Sequence, residues 1–154
     1  MTRGRDDEWS WLAQEALGEA GQRAGGARSA VVELLADQDC CLSAQEIAER
    51  LRSTGNRVGT ASVYRALDLL HGFGLVQRIE VGGGGARYEP VIPGGEHHHH
   101  VLCDSCGTLS SFEDEGLERA IGRLAKRLRH RVSGHDVLIH GRCARCEARP
   151  AARG

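Results

Sequence analysis

The stretch Ser43-Ala44-Gln45-Glu46-Ile47-Ala48-Glu49-Arg50-Leu51-Arg52, followed after a short turn by Thr60-Ala61-Ser62-Val63-Tyr64-Arg65-Ala66-Leu67-Asp68-Leu69-Leu70, decides how the first half of the chain folds. Ser43 and Glu46 stand at capping-box spacing, so the serine hydroxyl can accept from the Glu46 amide while the Glu46 carboxylate reaches back to the Ser43 N–H. Ile47, Ala48 and Leu51 then form the apolar side of a short helix. Gly55 and Asn56 mark a turn over residues 53–57. Val63, Leu67, Leu70 and Phe73 line one side of a stronger helix over residues 60–72, which Gly74 ends. Two helices joined by such a turn read as a helix-turn-helix.

Upstream, Val31, Val32, Leu34 and Leu35 make residues 27–36 a helix, and Trp9, Leu12, Ala16 and Leu17 predict a short helix before it, with residues 1–8 frayed and residues 21–26 as a break. Downstream, residues 75–81 and 86–90 read as strands around the glycine turn at 82–85. Helices followed by a hairpin make a winged helix; a generic helical unit with a hairpin is the alternative. Thr60, Ser62, Tyr64 and Arg65, on the second helix of the pair, are candidate DNA contacts: hydroxyls in a first helical turn suit phosphates, and Tyr and Arg reach base edges or backbone. Arg28, Arg57 and Arg78 are candidate phosphate contacts; each could equally be a salt bridge on a solvated face.

The second half is dense in metal-ligand chemistry. His97-His98-His99-His100 runs into Cys103-x-x-Cys106, and a second knuckle, Cys143-x-x-Cys146, follows near the end. Four thiolates in two such pairs point to a tetrahedral structural zinc, with two disulfides or free thiols as the alternative. If the histidines lie on a strand, His97 and His99 face one way and His98 and His100 the other, so one tetrapeptide can serve two sites. Further ligands are open among Glu89, Cys40, Cys41, Glu118 and His135. Residues 98–103 and 108–112 predict strands, residues 114–130 a helix with Leu117, Ile121, Leu124 and Leu128 on one side, and residues 132–141 a last strand. His71, His130 and His140 read as surface or packing residues. The organisation expected is a DNA-binding unit over 1–90, a hinge over 91–96, a metal-binding dimerisation unit over 97–147 and a tail over 148–154.

Bulk properties bound this reading. The chain has 154 residues, 40 % hydrophobic and only 4 % aromatic, with a formal net charge of −1. Residues 1–90 carry 10 Lys+Arg against 13 Asp+Glu, so DNA binding must come from locally placed arginines rather than bulk charge. A half-length unit with so few aromatics needs a metal staple or a dimer interface. No apolar run approaches the roughly 18 residues of a membrane span, and the charged N-terminus lacks a signal-peptide core. The expected location is cytoplasmic, where six cysteines point to metal or redox chemistry more than to disulfides.

The ordered motifs Ser43-Ala44-x-Glu46-Ile47, Ala61-Ser62-Val63-Tyr64-Arg65-Ala66-Leu67, Gly74-Leu75-Val76, Tyr88-Glu89, the histidine run with Cys103-x-x-Cys106-Gly107, and Gly141-x-Cys143-x-x-Cys146 resemble the ferric uptake regulator superfamily over roughly residues 27–146. The resemblance implies an α+β chain: an N-terminal winged helix-turn-helix and a C-terminal α/β dimerisation domain with structural zinc. It implies a homodimeric, metal-dependent repressor of palindromic double-stranded DNA operators. By similarity, Cys103, Cys106, Cys143 and Cys146 hold zinc. A regulatory site maps to Cys41, Glu89, His98 and His100, and a further site to His97, His99, Glu118 and His135; both sets agree with the strand parity.

A thiolate at Cys41, where iron-sensing relatives commonly have His, favours zinc in the regulatory site, and the histidine run resembles zinc uptake regulators. Glu89 is instead the residue type of iron-sensing members, and zinc regulators often carry a Cys just before the histidines, where this chain has residues 91–96. Iron or manganese is the alternative. Peroxide sensing is disfavoured, because those members place Asp at the Glu89 position. Ser111 stands where a further carboxylate is common, with Glu113 nearby, and the sequence before Arg28 departs from the usual Thr-x-x-Arg. Two other classes are weaker. A zinc enzyme lacks any His-Glu-x-x-His or deaminase signature, and a redox switch would need a strained disulfide between adjacent Cys40 and Cys41.

Overall fold

A computed structural model describes residues 3–19, 26–38, 41–83, 85–94 and 97–149. Cys40, residues 21–25 of the expected break, the last two residues of the expected hinge and residues 150–154 of the expected tail lie outside this set. The chain divides into two compact units, Met1–Gly95 and Glu96–Gly154.

The first unit runs α1 (Arg3–Glu19), α2 (Ala27–Ala36), α3 (Ala44–Ser53), α4 (Thr60–Gly72), β1 (Val76–Gly82) and β2 (Gly85–Pro90). The expected capping box is present: Ser43 Oγ accepts from the Glu46 amide at 3.1 Å and Glu46 Oε2 accepts from the Ser43 amide at 2.8 Å. The apolar faces of α2, α3 and α4 meet in a core of Val31, Val32, Leu35, Ile47, Leu51, Val63, Leu67 and Leu70. β1 and β2 pair antiparallel as the wing, with a bulge between Glu80 and Gly82.

The first helix corrects the sequence reading. It begins at Arg3 and spans 17 residues rather than a short stretch after a frayed end. Its buried face is Trp9, Ala13 and Leu17, one turn apart each time, not Leu12 and Ala16. The indole of Trp9 sets that rotation: its Nε1–H donates to the Leu75 carbonyl at 2.8 Å, fastening α1 to the start of the wing.

The second unit contains β3 (His99–Cys103), β4 (Leu109–Phe112), α5 (Glu115–Arg127), β5 (Leu138–Gly141) and the short α6 (Ala144–Glu147). Its sheet has the order β4-β3-β5, antiparallel on one side and parallel on the other. The last strand is shorter than expected. Its parallel partner β3 offers register positions only from His100↔Leu138 to Cys103↔Gly141, so residues 131–137 stay irregular. Asp114 caps α5 by accepting from the Leu117 amide at 2.7 Å. No residue of α5 is buried, although Leu117, Ile121, Leu124 and Leu128 form one apolar stripe. Among the described residues no helix is long and apolar enough to cross a membrane.

Candidate metal centres

The four cysteines converge because β3 and β5 run parallel and end together. Cys103 closes β3 opposite Gly141, and the chain after β5 enters the second knuckle at once. Each knuckle is a backbone turn: the Gly107 amide donates to the Cys103 carbonyl at 2.8 Å, and the Cys146 amide to the Cys143 carbonyl at 2.9 Å. Gly107 takes φ +72°, a left-handed conformation that suits glycine at this tight turn.

The four sulfurs lie within 4.8 Å of one another, and Cys106 Sγ stands 3.8 Å from Cys143 Sγ. Sulfurs around a tetrahedral zinc with Zn–S bonds of about 2.3 Å are about 3.8 Å apart, so the cage fits that ion. Electrostatics agree. Amide donors from Cys143 and Cys106 draw the Cys103 thiol down to about 6. Cys146, hydrogen-bonded to Cys143 and crowded by the other sulfurs, is pushed up to about 12. Four thiolates cannot coexist at this spacing without a cation among them.

A second cluster joins His97, two residues before β3, and His99, the first residue of β3, to Glu118 on α5 and His135 in the loop before β5; their ligand atoms also lie within 4.8 Å of one another. His97 Nε2 and His135 Nε2 are 3.2 Å apart, close to the roughly 3.3 Å edge of a tetrahedral nitrogen site. Glu118 Oε1 lies 2.6 Å from His99 Nε2 and 3.2 Å from His135 Nε2, and these two histidines hold its carboxyl below the ordinary range. His99 is 1 % exposed, and among the described residues its Nδ1 is the buried side-chain polar atom without a hydrogen-bond partner. His97 and His99 thus share one cluster, although the strand takes in only His99 and His100 of the run.

The remaining expected ligands are positioned within their own units. In the first, Leu42 and Tyr88 form an antiparallel bridge, donating to each other's carbonyls at 3.0 and 2.8 Å. The bridge sets Cys41 opposite Glu89, and Cys41 Sγ donates to Glu89 Oε2 at 3.1 Å, both groups being buried. In the second unit, the rings of His98 and His100 meet edge to face with centroids 5.0 Å apart.

The candidate DNA contacts sit at the start of α4. Arg57 is exposed in the turn, Thr60 opens the helix, and Tyr64 and Arg65 are exposed along it. Arg65 Nη2 donates to Ser62 Oγ at 3.3 Å. Gly59, the residue before the helix, offers no side-chain cap, and the turn leading into α4 borders a hollow lined by Arg52, Asn56 and Arg57. Arg28 lies half-buried on α2. Arg78 is paired with Glu80 at 2.8 Å.

Arg87 Nη1 donates to Glu46 Oε2 at 2.9 Å, a pairing that no local spacing in the sequence announces because the partners are 41 residues apart. His140 likewise pairs with Asp104 at 3.0 Å, while His71 and His130 hydrogen-bond nearby carbonyls.

The sequence profile of the ferric uptake regulator family matches residues 19–140. The ferric uptake regulation protein of Vibrio anguillarum is 30 % identical over 141 residues, covering 90 % of this chain and 93 % of that protein. Among solved structures, the Vibrio cholerae ferric uptake regulator superposes with a TM-score of 0.74 at 29 % identity, over 84 % of this chain and 98 % of that one. The Helicobacter pylori ferric uptake regulator, described as having three functional metal-binding sites, superposes with a TM-score of 0.83 at 25 % identity, over 95 % and 96 % of the two chains.

Proposed function

Since the chain belongs to the ferric uptake regulator family of metal-responsive transcription regulators, we propose that it is a zinc-responsive repressor that binds palindromic operators as a metal-loaded homodimer. Cys103, Cys106, Cys143 and Cys146 hold a structural zinc. Cys41, Glu89, His98 and His100 form the regulatory site, and His97, His99, Glu118 and His135 form the further one. A bound divalent cation supplies the cross-link among the members of each set.

The observation that carries the choice of metal is Cys41, a buried thiol whose sulfur already meets Glu89 at 3.1 Å. Soft thiolate donors favour zinc over ferrous iron among common cytosolic divalent ions. Cys41 and Glu89 sit immediately before α3 and on the wing, so ligation there acts on the DNA-reading helices, while His98 and His100 belong to the dimerisation unit. Metal favours the DNA-competent state only by binding it more tightly than the other. The dimer is supported by the exposed Leu124 and Leu128 toward the end of α5 and by Val101 and Ile139, neighbours in the β3–β5 register that are both exposed. DNA contact falls to Arg57, Thr60, Ser62, Tyr64 and Arg65, with Arg28 as a further phosphate contact.

The second reading is an iron- or manganese-responsive repressor of the same family. Glu89, a hard oxygen donor, and the relatives named for iron favour it. Operator binding titrated separately with zinc, ferrous iron and manganese discriminates the two. Zinc should saturate binding at the lowest free concentration, and Cys41→Ser should raise the zinc requirement by about tenfold or more. Binding that responds to iron or manganese but not zinc establishes the second reading, and metal-independent binding removes both.

A further inference from the structure

We infer that the Arg87–Glu46 ion pair is a positioning element that relays the state of the Cys41–Glu89 pair on the wing to the helix-turn-helix. The inference rests on the reading of Cys41 and Glu89 as regulatory ligands and extends it to two residues that are not ligands.

The geometry begins at the Leu42–Tyr88 bridge. In an antiparallel pair, the residues flanking a bridge on either side point to the face opposite the bridge residues. Leu42 and Tyr88 are both buried in the core of the first unit. Cys41, Glu89 and Arg87 therefore share the other face. On that face two contacts tie β2 to the α3 entry: Cys41 with Glu89 at 3.1 Å, and Arg87 with Glu46 at 2.9 Å.

Glu46 is not a generic partner. The same Oε2 accepts from the Ser43 amide at 2.8 Å and from Arg87, so the carboxylate that closes the α3 cap is also the anchor of the wing strand. A shift of β2 at Glu89 would by itself translate the strand against α3. Arg87, two residues along, converts that shift into a pull on the first turn of the helix. α3 packs on α4 through Ile47, Ala48, Leu67 and Leu70 of one shared core, so α3 cannot turn without carrying the Thr60–Arg65 segment. Remove the guanidinium, and ligation at Cys41 and Glu89 persists while its grip on α3 loosens.

The experiment measures coupling in the full-length protein. Operator affinity is determined by fluorescence anisotropy with zinc and with chelator, and zinc affinity with and without operator. Arg87→Met keeps most of the aliphatic stem and leaves the Ser43–Glu46 box intact. It should leave zinc content, melting behaviour and chelated operator affinity near wild type, and reduce the zinc-induced gain in operator affinity by about fivefold or more. Linkage requires that the operator-induced gain in zinc affinity fall by the same factor. Arg87→Lys should restore much of both.

Full zinc-induced gain in Arg87→Met overturns the inference. So does an equal loss of operator affinity with and without zinc, which marks a merely structural residue. Cys41→Ser separates this failure from that of the reading beneath it. If Cys41→Ser keeps the full zinc response, the ligand assignment itself is wrong and the relay falls with it. If Cys41→Ser abolishes the response and Arg87→Met does not, the relay alone is wrong.

Discussion

The two units are built on opposite principles. Of the ten largest fully buried side chains among the described residues, nine belong to the first unit, namely Trp9, Val31, Val32, Leu35, Ile47, Val63, Leu67, Leu70 and Val76. The tenth is His99, a candidate metal ligand in the second. The first unit is held by apolar burial, which operates without any ligand. The second has a small sheet, an amphipathic helix with no buried residue, and ligand clusters where a core would be. Units of about 60 residues bury too little surface to be secure alone, and metal or association supplies the difference.

Removal of the metal should have the largest effect and should fall on the second unit alone. Structural zinc contributes on the order of 10 kcal/mol to small zinc domains, which rivals the whole stability of a typical domain. Strong chelation, or Cys143→Ser, should therefore abolish amide-exchange protection across β3, β4 and β5 while the amides of α2 and α4 stay protected. Protection that survives in the sheet would mean that the second unit has a sufficient apolar core after all. The converse perturbation is Leu67→Ala, in the middle of the first core. It should cost about 2–5 kcal/mol in denaturant unfolding of the first unit and leave the content of the four-cysteine site unchanged. Loss of zinc with Leu67→Ala would show that the two units unfold as one.

Much of this contrast is legible in the sequence, and the reason is periodicity. The helix-turn-helix announces itself through its capping box and the 63/67/70 spacing, and the four-cysteine site through its paired Cys-x-x-Cys spacing. Local patterns do not convey long-range pairing. Nothing near Val132 tells that β5 must wait for Leu138, since that limit is set by the length of β3. The rotation of α1 depends on an indole reaching a carbonyl 66 residues away. The Arg87–Glu46 pair is hidden for the same reason, although Glu46 is conspicuous as a cap residue.

Glu46 gives the comparison a pH dimension confined to the first unit. Burial pushes its carboxyl up, but hydrogen bonds from Ser43 and the Arg87 charge outweigh this and bring it below its ordinary value of 4.5. A depressed carboxyl contributes stability that is fully present above its unfolded value and is lost as pH falls through its folded one. Glu46→Gln should thus destabilise the first unit at pH 7 by about 1 kcal/mol, the scale of a helix cap, and the gap from wild type should close below about pH 4. Urea melts at about pH 7 and about pH 3.5 test this; a gap that persists in acid would assign the effect to packing rather than to the carboxylate charge.

The smallest expected effect, and one that stabilises, lies at the end of α5. The His130 amide donates to the Ala125 carbonyl at 2.9 Å and the Arg129 amide to the Lys126 carbonyl at 3.1 Å, the paired bonds of a Schellman termination. That motif places one residue in the left-handed region, where glycine is usual, and here it is Arg129 at φ 54°, the non-glycine residue with positive φ among those described. A side chain there costs roughly 1 kcal/mol through contact of its Cβ with the following carbonyl. Glycine removes this cost but gives the unfolded chain more freedom, so Arg129→Gly should gain only a few tenths to about 1 kcal/mol. The gain should be read in the zinc-loaded protein, as a slightly higher melting temperature. It should be undetectable in the first unit's exchange rates. A loss of stability would mean that the Arg129 side chain makes a contact worth more than the backbone strain it carries.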